Sequence, residues 1–198
     1  MIDDTRIRTS HVADAAEKLG VGYGGGIGLT WLGAPEGGVR GRAFTMQQRA
    51  VAPGQTGQSL RHGEVSAKEA GQGDLIVIAV EGDTMGATWG EAHALRVAGR
   101  GVAGVLTDGL VRDSGPLRQV GPPVLCAGGS PFRSAGRLET LSLREEVQIR
   151  GVRIAQGDLV VIDADGFVVI GGDDADAVLA EALQVIARED ARNAAITG

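Results

Sequence analysis

Short, nearly continuous apolar runs, each closed by a polar turn, dominate the middle of the chain. Residues 73–80, "GDLIVIAV", form the first. Such a run is apolar on both faces, as a strand buried inside a sheet must be. Residues 102–108, "VAGVLTD", and 123–128, "PVLCAG", repeat the pattern. Between the first two runs the period changes. Residues 91–101, "EAHALRVAGRG", place Ala94, Leu95 and Ala98 at helical spacing and end in glycine. Strand, helix and strand in succession predict βαβ units and a partly parallel sheet.

The flanking segments extend this core. Residues 9–19, "TSHVADAAEKL", read as a helix capped by Thr9 or Ser10 and stopped by Gly20. The stretch from 20 to 38 is too rich in glycine for regular structure and is expected to be a connection. Residues 39–45 alternate as a strand, and 60–71 predict a short polar helix weakened by Gly63. Residues 138–162 read as strands joined by short turns, hence an antiparallel part of the sheet. "DGFVVI" at 165–170 adds a strand through an Asp-Gly turn. From about Asp174 to Ile196 one long helix is expected, with Val178, Leu179, Ala182, Leu183 and Ile186 on its apolar face. "GDLIVI" at 73–78 and "GDLVVI" at 157–162 echo each other as a turn-into-strand device. The fold class expected is α/β, a layered sandwich with a mixed sheet, forming one domain over 1–198.

Composition narrows the function. The 198 residues carry a net charge of −6, which argues against nucleic acid as a main partner. No run approaches the ~20 apolar residues of a membrane helix, and the first residues lack the apolar core of a signal peptide. A single cysteine, Cys126, forms no internal disulfide and fits a reducing, cytoplasmic setting. Cys126 is expected to be a buried apolar residue.

Candidate chemistry lies where the central strands end. The strand at 73–80 leads through a loop to a helix beginning near Glu91. The strand at 102–108 leads to Arg112 and Asp113. Open α/β sheets bind ligands outside the carboxyl ends of their parallel strands. If the two strands are parallel neighbours, a helix amino end, a guanidinium and two carboxylates converge there. Arg112 suits a substrate carboxylate, and Asp113 suits a hard, partly hydrated divalent ion. The alternative is a surface ion pair of little energetic consequence. The other histidines, His11 and His62, have no metal-ligand spacing with His93.

"WGEAHALRVAGRGVAGVLTDGLVRD" resembles the family named for the regulator of ribonuclease E activity A (RraA), in its 4-hydroxy-4-methyl-2-oxoglutarate/4-carboxy-4-hydroxy-2-oxoadipate aldolase branch. Glu91 and Arg112 carry the branch's acid–arginine spacing of twenty intervening residues, with Asp113 next. The likeness continues through "GPPVLCAGGSP" and "GDLVVIDADGFVVI". It implies a metal-dependent lyase that releases pyruvate from a 4-hydroxy-2-oxo acid, with oxaloacetate decarboxylation as a companion activity. Arg112 would bind the 2-oxo acid. Asp113 would ligate Mg²⁺ or Mn²⁺. Amides near Ala92 and His93 would hold the pyruvyl carboxylate, and Glu91 would contact metal-bound water and assist proton transfer. Glu189, from the last helix of a neighbouring subunit, would complete the site in a trimer or hexamer. With only Lys18 and Lys68 in the chain, no Schiff-base lysine is evident. Two other readings remain open: a non-catalytic regulator that binds a ribonuclease-like partner, and an enzyme of this fold acting on another substrate. The 20–72 region departs most from the aldolases.

Overall fold

The computed structural model describes residues 4–34, 37–52, 54–55, 57 and 60–197. Its elements run in order as a 3-10 turn (Asp4–Arg6), α1 (Thr9–Leu19), β1 (Tyr23–Gly26), β2 (Thr30–Leu32), β3 (Gly38–Ala50), α2 (His62–Glu69), β4 (Asp74–Glu81) and β5 (Ala87–Trp89). Then come α3 (Glu91–Val97), β6 (Gly104–Thr107), β7 (Leu110–Val111), α4 (Ser114–Leu117), β8 (Val124–Cys126), β9 (Gly128–Gly129) and β10 (Leu138–Leu143). The chain closes with β11 (Val147–Ile149), β12 (Val152–Ile154), β13 (Leu159–Asp163), β14 (Phe167–Ile170) and α5 (Ala175–Thr197).

A nine-stranded sheet in the order β1-β14-β13-β3-β4-β6-β8-β2, with β10 also on β3, organises the whole. Its centre is parallel: β3, β4, β6 and β8 pair in that order and sense. Its flanks are antiparallel, β13 on β3 and β14 on β13. Side-chain alternation assigns the faces. On β4, Ile76 and Ile78 meet Ala94 and Val97 of α3, while Leu75 and Val77 point the other way. There they join Val160 and Ile162 of β13 and Ile149 and Ile154 of the β11–β12 ribbon. The opposite face of β13 and β14 carries α1 and α5, through Val12, Val161, Val178 and Ala182. The sheet is thus curled around one apolar interior and covered by helices at both ends. This is the expected α/β sandwich with a mixed sheet.

The repeated "GDL" device is visible. Asp74 Oδ2 accepts from the Gly71 amide at 2.8 Å, and Asp158 Oδ2 accepts from the Ala155 amide at 2.8 Å. In both, a glycine with left-handed φ precedes the aspartate. The two strands so launched, β4 and β13, flank β3 on opposite sides.

Three local expectations need correction. The glycine-rich stretch is not all connection: Tyr23–Gly26 pair antiparallel with β14. Glycine is required there by close approach, since a Cβ on Gly26 would lie 2.4 Å from the Phe167 ring and one on Gly24 2.4 Å from Val152. Pro35 and Glu36 of that stretch lie outside the described residues. The cap of α1 is neither Thr9 nor Ser10. Arg8 is the N-cap, and Asp163 of β13 reaches across to accept from the Thr9 amide (2.8 Å) and hydroxyl (2.9 Å). The strand expected over 39–45 runs on to Ala50, because its later residues pair with both β4 and β10.

Candidate active site

The central strands deliver their loops to one edge. β4 and β6 are parallel neighbours, so the segments after Glu81 and Thr107 leave the sheet on the same side. A second, three-stranded parallel sheet, β5-β7-β9, stitches those segments together. Trp89 pairs with Val111, and the Arg112 amide donates to the Trp89 carbonyl at 3.0 Å. The loop after β8 joins through Ser130, whose amide donates to Val111 O at 2.7 Å. Residues distant in sequence thereby share a floor.

Gly90 lies at its centre. It is the N-cap of α3, in an extended conformation open to any residue. A side chain there has no room, however. A Cβ would fall 2.9 Å from Arg112 Cγ and 3.1 Å from Asp113 Oδ2. The Arg112–Asp113 pair therefore leans onto the start of α3, directly beside Glu91. Arg112 Nε and Asp113 Oδ2 are 3.4 Å apart, and each side chain is about two-fifths exposed (40% and 38%). Asp113 adopts a left-handed backbone (φ 59°, ψ 41°) at the start of α4. Non-glycine residues rarely do so, and such strain concentrates at functional positions.

The amides expected to hold a carboxylate are partly committed. The His93 N–H donates to Gly90 O at 3.0 Å, so that donor is used within the turn. The amides of Glu91 and Ala92 have no acceptor among the described residues. With α3 only seven residues long, its dipole adds little, and anion binding falls chiefly on side chains.

His93 is half-buried, in a wall it shares with the buried His62 and Trp89. Its ring packs edge-on to His62 (centroids 4.9 Å) and against Trp89 (5.2 Å). Burial, aided by His62, Arg96 and Arg112, pushes its pKa down to about 4, so His93 is neutral at pH 7. Burial likewise lowers the pKa of His62. The neighbours of His62 set its tautomer. Nε2–H donates to Thr88 O (2.7 Å), Nδ1 accepts from Gln48 Nε2 (2.9 Å), and Gln48 Oε1 accepts from the Thr88 hydroxyl. Trp89 Nε1 is a buried donor without a partner among the described residues.

A cavity of about 210 Å³ opens here, with Trp89, Gly90, Ala92, His93 and Arg112 in its wall. Arg96, Arg133 and Ser134 also line it, and no carboxylate does among the described residues. A second cavity of about 430 Å³, between α2 and α3, shares His93, Arg96 and Ser134 with the first. Arg96 and Arg133 escaped sequence reasoning. Arg96 stands one turn beyond Ala92 and His93 on the same helix, and Arg133 follows β8, the fourth of the parallel strands; both placements were signals in principle.

Glu189 does not join this group within one chain. It lies on α5, at the opposite end of the sheet, with Oε2 3.1 Å from His11 Nε2. The lysines do not supply imine chemistry. Lys18 pairs with Glu181, and Lys68 pairs with Glu64, which raises the Lys68 pKa rather than lowering it. Cys126 is buried, as expected. Among the described residues no three His, Cys, Asp or Glu side chains cluster to hold a metal unaided. Asp113 offers a hard, partly exposed oxygen donor. That fits a magnesium-type ion that keeps water and takes substrate oxygens, and does not fit a closed zinc cage. Among the described residues no helix is long and apolar enough to cross a membrane.

Fold and site together define an α/β protein with an arginine-rich cleft beside an exposed aspartate. The RraA-like model, described as aldolase/RraA, matches residues 9–169, and the chain belongs to that family. A Halalkalibacterium halodurans protein named "Putative 4-hydroxy-4-methyl-2-oxoglutarate aldolase" is 33% identical over 129 residues, which is 65% of this chain and 61% of that relative. The match thus spans less than two thirds of the relative's length. Among solved structures, Streptomyces coelicolor RraAS2, described as an unusual member of the RNase ES inhibitor RraA family, superposes with a TM-score of 0.78 at 26% identity. It covers 96% of this chain and 92% of its own. The RNA-processing inhibitor RraA from Thermus superposes at 0.66 with 22% identity, over 82% of this chain and 92% of its own, a likeness of fold.

Proposed function

We propose that this chain is a divalent-metal-dependent carbon–carbon lyase that cleaves a 4-hydroxy-2-oxo acid to pyruvate and also decarboxylates oxaloacetate. The observation that carries the reading is the contact of Arg112 and Asp113 with Gly90, at the foot of the helix that begins with Glu91. The relative named for 4-hydroxy-4-methyl-2-oxoglutarate cleavage supports the same substrate class.

Arg112 grips the carboxylate and 2-oxo oxygen of the substrate, and holds its reactive carbons at the cavity mouth. Glu91, which begins α3 beside the cavity and not in its wall, would reach the C4 hydroxyl at the cavity mouth and take its proton. The C3–C4 bond breaks, C4 becomes the carbonyl of the departing product, and the electron pair passes into the C2 oxo group. Arg112 stabilises the resulting oxyanion. Proton return to C3 yields pyruvate. In oxaloacetate the same bond releases CO₂, with no hydroxyl proton to remove. Asp113 would hold Mg²⁺ or Mn²⁺, which when bound would supply Lewis-acid stabilisation of the developing charge. His93, neutral and packed on Trp89, excludes water from the inner wall. In a trimer or hexamer, Glu189 of the partner subunit assists the proton transfers. Cytoplasmic placement and freedom from nucleic acid belong to the same proposal.

The test is pyruvate release, followed through added lactate dehydrogenase and NADH. Substrates are 4-hydroxy-4-methyl-2-oxoglutarate and oxaloacetate, with Mg²⁺ or with EDTA, on wild type and Asp113→Ala. Metal-dependent turnover that is lost in the variant is the expected result. The structural likeness to RraAS2 favours a second reading, a regulator of a ribonuclease-type partner. Absence of turnover, together with inhibition of such a ribonuclease, would establish it instead.

A further inference from the structure

Three guanidinium groups, Arg96, Arg112 and Arg133, line one cavity in whose wall no carboxylate stands among the described residues. This is unusual for an acidic chain. Several of its other arginines meet acids: Arg49 holds Glu139, Arg153 holds Glu146 and Arg188 holds Glu181. The side chains of Arg96 and Arg133 have no ion pair or hydrogen bond among the described residues. Arg112 has Asp113 at 3.4 Å, but Arg96 and Arg133 have no such acid, and their charges repel those around them unless an anion enters. Arg112 accounts for one acidic group. The other two arginines remain for an acidic group in the substrate's tail, which the reading above leaves without a named partner.

The shape agrees. The cavity continues past His93, Arg96 and Ser134 into the larger space between α2 and α3. A three-carbon acid held at Arg112 does not fill that length. In the larger cavity Lys68 is already neutralised by Glu64, so Arg96 is the uncompensated cation there. The buried, unpartnered Trp89 Nε1 in the inner wall is a further polar group in the same floor without a protein partner.

We propose that Arg96 and Arg133 are specificity-determining residues that receive a second acidic group of the substrate, beyond the one held by Arg112. The inference rests on the oxo-acid reading above and adds which residues select the tail. The second group is a carboxylate or a phosphate; both suit a pair of guanidinium forks.

Direct binding tests this apart from turnover. Calorimetry with Mg²⁺ present would compare 2-oxopentanoate, 2-oxoglutarate and 2-oxo-4-phosphonobutyrate, which share a 2-oxo acid head and differ in the tail. Wild type is expected to bind one of the doubly acidic ligands ~10- to 100-fold more tightly than 2-oxopentanoate. The ligand so preferred identifies carboxylate or phosphate. In Arg96→Gln/Arg133→Gln that preference falls to about one, and Arg96→Lys/Arg133→Lys restores part of it. A structural role would weaken all ligands alike and leave the preference intact. Equal binding of all three by wild type, or a preference unchanged in the glutamine variant, would overturn the proposal. If the preference behaves as expected while no pyruvate is released from any substrate, the anion subsite stands and the lyase reading fails.

Discussion

Gly90 and Asp113 are in contact through a side chain that is not there: a Cβ on Gly90 would sit 3.1 Å from Asp113 Oδ2. Gly90 has an extended backbone, so alanine is conformationally acceptable. Only the space is forbidden. Gly90→Ala is therefore expected to fold with nearly the wild-type melting temperature, yet to displace Arg112 and Asp113 by a few tenths of an ångström. Misplacement of this kind lowers kcat/KM by ~10- to 100-fold. Steady-state kinetics beside a thermal melt separate the two effects.

Asp113 itself allows a sharper division between stability and activity. Its φ of 59° is one that asparagine tolerates and glycine adopts freely. Asp113→Asn and Asp113→Gly are each expected to change stability by no more than ~1 kcal/mol. Both remove the anionic donor, and metal-dependent turnover should fall by at least ~10²- to 10³-fold. Denaturant unfolding and activity at saturating Mg²⁺ check the pair. Large destabilisation in Asp113→Asn would show that the aspartate serves the fold.

Much of this site was legible because its logic is topological. Two apolar runs with a helix between them imply parallel neighbours, and parallel neighbours bring Glu91, Arg112 and Asp113 to one edge. The β5-β7-β9 sheet was not legible. Its strands are two or three residues long, and "ATW", "LV" and "GG" carry no period. Without it, neither the Trp89–Arg112 contact nor the role of Gly90 follows. β1 was hidden for a related reason: glycines that permit close packing look, in sequence, like glycines that forbid structure. Asp163 was hidden because it caps α1 from 154 residues away. Glu189 was legible only as a member of the last helix, and its bond to His11 belongs to a single chain's packing.

The packed histidine pair, His62 buried and His93 half-buried, gives the fold an acid limit. The native pKa of His93 is about 4, against an unfolded value near 6.5, and that of His62 is also lowered. A histidine whose pKa is lowered on folding binds more protons when unfolded. Stability is then full above pH ~6.5 and declines as pH falls toward ~4. For His93 the loss is on the order of 3 kcal/mol across that window. His93→Leu should flatten the slope of melting temperature against pH between 6.5 and 4.5. A slope unchanged in this variant would mean that other groups set the acid limit.

Gln48 is the hub that lets His62 remain buried and neutral. Its amide nitrogen donates to His62 Nδ1, and its amide oxygen accepts from Thr88. Gln48 is fully buried, so its loss admits no water without rearrangement. Gln48→Leu keeps most of the volume but leaves His62 Nδ1 and the Thr88 hydroxyl without partners. Each unsatisfied buried group costs ~1–3 kcal/mol, for a total of roughly 2–6 kcal/mol in denaturant unfolding. Thr88 precedes Trp89 and Gly90, so the damage spreads to the floor of the cleft, and KM should rise along with the loss of stability. Gln48→Glu tests the sign of the network. A carboxylate beside His62 favours its protonated form, which should bring the histidine's pKa back up and lessen the stability lost as pH falls below ~6.5. If Gln48→Leu unfolds at the wild-type denaturant concentration, the network is not a structural hub, and His62 is held by Thr88 and packing alone.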